Sequence, residues 1–158
     1  MVDGNPRSTA QIAGHPIHPM LIPFPIAFLV ATSASDLAFW SWGNAMFATA
    51  AIWLLGAALV MAALAAVAGL IDFLGERRIR DIRDAWLHMI GNIVAVLLSL
   101  INFYLRYANG AEAGALPSGV WISLIVVLLL LFNGWKGWNL VYRYRVGVAD
   151  TPPGPPRQ

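Results

Sequence analysis

Read from the amino terminus, the chain alternates long apolar runs with short polar interruptions. The runs lie at positions 20–42, 45–74, 86–107 and 118–142. Each can cross a ~30 Å hydrocarbon layer as a helix, which takes about 20 apolar residues. A segment in lipid must satisfy its own backbone polar groups, so helix is the form these runs predict. The interruptions are short: Gly43-Asn44, then 75–85, then 108–117. Short links force antiparallel neighbours, and the pattern predicts an all-α, polytopic membrane protein, four transmembrane helices in one up-and-down bundle. Residues 1–14 are polar and rich in small residues and read as a mobile N-terminal tail, with the transmembrane domain over 15–145. The Pro-rich stretch 146–158 cannot be helical and reads as a disordered tail.

The spans differ in character. The second carries Gly56, Ala58, Ala62, Ala65, Ala66 and Gly69, whose spacing gives a smooth helix that neighbours approach closely. The fourth is rich in Leu, Val and Ile over 124–132, a face for lipid or a second copy of the chain. The third carries a polar stripe. His88, Asn92, Ala95, Ser99, Asn102 and Arg106 recur every three or four residues and fall within about 40° of one direction on an α-helix. Such a stripe must face the bundle interior or a wet cavity.

Composition sharpens this picture. Of 158 residues, 59% are hydrophobic and 11% charged, against about 25% charged in soluble domains. A formal charge of +2 is too small to suggest a nucleic-acid partner. Cysteine is absent, which excludes disulfides, thiolate-held iron–sulfur clusters and covalent haem attachment. The first apolar run is too long for the core of a cleavable signal peptide, and none is expected. Nine of the ten Lys and Arg residues fall at the termini or in the 75–85 link, leaving Arg106 alone on the other side. By the positive-inside rule both termini are expected in the cytoplasm. The aromatic residues form matching belts, with Trp40, Trp42, Tyr104, Tyr107 and Trp121 outside and Trp86, Trp135, Trp138 and Tyr142 inside.

The candidate chemistry lies in the few ionisable residues. His15-Pro16-Ile17-His18-Pro19 precedes the first span, and His88 opens the third. A residue before proline is pushed towards extended backbone, which would hold His15 and His18 about 9 Å apart in a polyproline II segment. That separation is too wide for one ion with ligands at ~2 Å. Pro19 suits the first turn of the span, with His18 near its N-cap. Asp36 lies eighteen residues beyond His18, and Arg106 eighteen beyond His88. Eighteen residues is five turns, about 27 Å. The first and third spans run parallel as diagonal partners, so His18 and His88 are expected at one depth and Asp36 opposite Arg106 at another, as a structural ion pair.

His15, His18, Asp72, His88 and Asn92 then gather on the cytoplasmic rim. Two readings are open for that rim beside a cofactor-free structural subunit. A haem b held by His18 and His88, with Asn92 one turn along, would make a small redox protein of the bilayer. A divalent metal on His15, His18, Asp72 and His88 would make a metal-binding or metal-transporting protein. A plainer reading has Asp72 paired with an arginine of the adjacent link.

The residues 14–25 (Gly-His-Pro-Ile-His-Pro-Met-Leu-Ile-Pro-Phe-Pro), Asp36, Ala68-Gly69-Leu70-Ile71-Asp72, His88 and Asn92 resemble the domain-of-unknown-function 2231 family of bacterial membrane proteins. The resemblance implies a multi-pass protein of the bacterial cytoplasmic membrane, without an activity to carry over. Some members carry Rieske-type or cytochrome domains, which implies a redox setting. The partners expected are the lipid bilayer and a redox protein or a second copy of the chain.

Overall fold

The structure, a computed structural model, describes residues 4–150. Four helical spans, Ile17–Trp42, Ala45–Gly75, Arg83–Asn109 and Ala111–Arg143, are long and apolar enough to cross a membrane. The first is broken at Ile22 into α1 (Ile17–Leu21) and α2 (Pro23–Trp42). Pro23 and Pro25 stand in the opening turn of α2, where a missing amide costs nothing. The second span is α3 (Ala45–Gly75), followed by the short α4 (Arg77–Arg80) in the arginine-rich link. The third is α5 (Arg83–Asn109). The fourth joins α6 (Ala111–Gly114), a kink within Ala115–Gly119, α7 (Val120–Trp138) and a last wide turn over Asn139–Arg143.

Local chemistry explains the tight connections. Gly43 closes α2 in the left-handed region at φ 67°, its amide donating to the Phe39 carbonyl. Asn44 then caps α3, its side chain accepting from the Met46 amide. These are the ordinary C-cap and N-cap devices of helices, placed back to back. In the next link Glu76 caps α4, and the Arg78 side chain and backbone amide hold its carboxyl down to about 2. The link expected over 108–117 holds the short helix α6. Gly110 alone separates α5 from α6, and the backbone then leaves the helical region at Leu116 (φ −116°, ψ 134°) before the long helix of the fourth span.

Around the bundle, α2 packs on α3, α3 on α5, α5 on α7 and α7 on α2. This ring is the up-and-down order, with α2 and α5 on one diagonal. Each helix buries a narrow stripe. Leu29, Leu55, Ala58 and Val126 form the central layer, Phe39, Ala48 and Ala115 a layer at one end, and Phe73, Ile79 and Ala85 a layer at the other. On α3 the buried alanines are Ala48, Ala51, Ala58, Ala65 and Ala68, while Ala62 and Ala66 of the expected small-residue stripe lie outside that set. Trp53, Leu64, Leu128 and Leu131 point outward, as residues facing acyl chains do.

The amino-terminal segment departs from the expected tail. Residues 4–14 lie against the end of α3 and the carboxy-terminal segment. The amides of Thr9 and Ala10 donate to Asp72 Oδ1 at 2.6 and 2.7 Å, and Ser8 Oγ donates to it at 2.9 Å. The Arg78 guanidinium donates to the carbonyls of Gly4 and Asn5, and Gly147 donates to Pro6. Segments 4–10 and 146–150 thus share one face of the bundle with α4. The disordered tail predicted over 146–158 extends largely outside the described residues, and its described part, 146–150, is hydrogen-bonded. Strands β1 (Gln11–Ile12) and β2 (His15–Pro16) form a two-residue hairpin ahead of α1. Ala13 and Gly14 turn it with φ of 50° and 81°, as the favoured tight hairpin turn requires.

Candidate functional site

Beneath that terminal face the first and third spans bring two histidines together. His18 lies on α1 and His88 in the second turn of α5. Their imidazole centroids are 6.2 Å apart with ring planes at 85°. Each ring is held by a neighbouring helix. His18 Nδ1 lies 2.8 Å from the Ala65 carbonyl of α3, and His88 Nδ1 lies 2.9 Å from the Asn133 carbonyl of α7. A carbonyl oxygen only accepts, so each Nδ1 carries the proton, and in the neutral ring each Nε2 is a bare lone pair. Orientation of an imidazole through one nitrogen, leaving the other for a ligand, is the arrangement found around metal-bound histidine.

The backbone around His18 differs from the expectation. The residue is helical in α1 instead of extended, despite the following proline. The steric bias before proline disfavours the helical region without forbidding it, and Pro19 itself falls in the first turn, where its missing amide is not needed. His15 is in the extended strand β2 and exposed, its Nδ1 3.0 Å from the Ala13 carbonyl. Asp72 is not paired with an arginine in the hydrogen-bond pattern; it receives the strap of residues 8–10. The rim expected to gather His15, His18, Asp72, His88 and Asn92 therefore separates. His18 and His88 meet, Asn92 adjoins them through Asn133, and His15 and Asp72 serve the hairpin and the strap. Among the described residues, no group of three or more His, Cys, Asp or Glu side chains is placed to hold a metal ion.

Asn133 escapes sequence reasoning. It is buried, its Nδ2 donates to Asn92 Oδ1 at 3.3 Å, and its Oδ1 has no hydrogen-bond partner. Gly91 leaves the space its amide fills. A backbone acceptor has no sequence signature, but Asn133-Gly134 within an otherwise apolar run is a visible break. Asp84 is a second such case, joining α5 to Lys136 of α7 at 3.0 Å and to Asn139 of the turn that follows it at 2.8 Å.

At the other end of the stripe, Arg106 Nη2 donates to Asp36 Oδ2 at 2.8 Å, with neither side chain exposed. Arg106 Nε donates to Asn102 Oδ1, and Asn102 donates to the Gly119 carbonyl. Ser99, Asn102 and Arg106 are all buried, so the polar stripe of α5 faces the interior. The family of predicted membrane proteins denoted DUF2231 matches residues 14–150. The chain belongs to that family. No curated protein and no solved structure matches it. The match to this DUF2231 member runs from Gly14 at the hairpin turn to the last described residue, and so contains His18, Asp36, His88 and Arg106.

Proposed function

We propose that this DUF2231 protein is a small b-type haem protein of the membrane, in which His18 and His88 would hold the haem iron. The observation that carries this reading is the pair of carbonyl-anchored imidazoles 6.2 Å apart. Each Nε2 would be a nitrogen donor of the kind a metal ion takes at about 2 Å. Two nitrogen donors are what an iron tetrapyrrole asks of a protein, since the macrocycle supplies the rest. A bare divalent ion needs four to six donors, and His15 and Asp72 are engaged elsewhere. Bound haem would supply one-electron chemistry, and the chain's residues would orient it and exclude water.

The nine basic residues on the side of the termini favour a cytoplasmic location for that face, in a bacterial cytoplasmic membrane. The histidines then sit close to the cytoplasm, where a redox protein or a second copy could exchange an electron with the site.

The test is a visible spectrum of protein purified in mild detergent after expression with ample haem. A Soret band with sharp low-spin α and β bands is expected, lost in both His18→Ala and His88→Ala. A colourless wild type overturns the proposal, and stoichiometric metal in the same sample would then assign the pair to an ion.

A further inference from the structure

The surroundings of the two histidines repeat. His18 and His88 are the same distance apart in sequence as Asp36 and Arg106, seventy residues. Between them, the buried positions Pro25, Leu29 and Thr32 of α2 recur at the same spacing as Ala95, Ser99 and Asn102 of α5. The partner helices agree with each other as well. Buried Leu55, Ala58 and Ala65 of α3 correspond to buried Ser123, Val126 and Asn133 of α7, each sixty-eight residues on. Ala65 and Asn133, which correspond, are the residues whose carbonyls accept from the imidazoles.

The next correspondence is Gly69 with Gly137, one turn beyond each acceptor. A Cβ on Gly69 would lie 2.9 Å from His18 Nδ1, and one on Gly137 would lie 3.1 Å from His88 Cε1. The physical reason lies in helix geometry. Cα–Cβ bonds tilt towards the helix N-terminus, so the Cβ of residue i+4 overhangs the carbonyl of residue i. A glycine there uncovers the carbonyl, which can then accept from a side chain as well as from its own helix.

We infer that the chain is a tandem of two helical hairpins, each carrying the same imidazole seat. The seat is a histidine on the first helix, a carbonyl on the second and a glycine one turn past it. Gly69 and Gly137 are its positioning residues, and together the seats engage both Nδ1 atoms and leave the Nε2 atoms as the nitrogens a ligand would take. The inference deepens the haem reading and rests on it for the ligand's identity, while the seats themselves are read without any ligand.

The test uses the full chain, ¹⁵N-labelled at histidine and without haem, so its failure is distinct from a missing Soret band. With three histidines in the sequence, each imidazole can be assigned. Wild type is expected to show His18 and His88 as Nδ1–H tautomers with protons that exchange slowly. Gly69→Ala should disturb the His18 signals alone, with exchange of its Nδ1 proton at least tenfold faster. Gly137→Ala should do the same to His88, by less. Gly134→Ala is the control, because a Cβ there meets nothing within 4 Å, and it should leave both rings unchanged. Unchanged rings in both seat variants overturn the inference. If a seat variant fails to fold, wild type still decides: Nε2–H tautomers, or unprotected Nδ1 protons, overturn it equally.

Discussion

Asp36 and Arg106 are the two oppositely charged residues that the bundle covers completely. Their bond is single, since Asp36 Oδ1 and Arg106 Nη1 have no hydrogen-bond partner, and Asn102 shares the guanidinium. Breaking such a pair strands a buried charge and costs about 3–5 kcal/mol, whereas replacing both partners by apolar residues is often near neutral. Asp36→Leu and Arg106→Met are each expected to destabilise by about that amount. The double variant should lose less than either single one. Equilibrium unfolding in mixed detergent–SDS micelles measures all three, and simple additivity would show that the residues act independently. The pairing is legible in sequence because both residues lie eighteen positions beyond a histidine on parallel spans. Asn133 is not legible, because what it gives His88 is a backbone carbonyl that any residue type could supply.

At the scale of elements, the helices follow from the apolar pattern because lipid leaves a spanning chain no other way to pair its backbone. The strap of residues 8–10 is a different matter. It is held by amides donating to one carboxylate, Asp72, and amides are common to every sequence. Hydrogen bonds to a charged acceptor contribute about 1.5–3 kcal/mol each. Asp72→Ala is therefore expected to free the strap while leaving the four spans in place. Amide hydrogen exchange at Thr9 and Ala10 should accelerate about tenfold or more, with the interior of α3 unchanged. Equal acceleration throughout α3 would mean that the strap stabilises the whole helix. The hairpin ahead of α1 was also hidden, since Ala13 takes a positive φ that its type rarely adopts, and only Gly14 hints at the turn.

For the whole molecule, the described ends of the chain meet on one face, with Asn5 donating to the Val148 carbonyl. The basic residues there favour the cytoplasm, and the absence of cysteine makes the point easy to check. Asp81→Cys in the arginine-rich link should be shielded from a membrane-impermeant maleimide in intact cells, and Glu112→Cys at the opposite face should react. Both residues are exposed, so accessibility within the fold is not in question. The reverse labelling would place the histidine pair on the outer side. The depth of the two histidines was legible from helix arithmetic, whereas their anchoring to α3 and α7 needed the three-dimensional packing. The Asp36–Arg106 bond also has a consequence in time. Asp36 leaves the ribosome seventy residues ahead of its partner, an interval of roughly 4–14 s at ~5–20 residues/s of synthesis. Throughout that interval Asp36 lacks the guanidinium that pairs with it in the finished bundle, because the arginines made before Arg106 belong to the amino terminus and the 75–85 link. The second hairpin supplies Arg106, so a half-protein that ends before it would leave Asp36 without the partner that neutralises it in the full bundle.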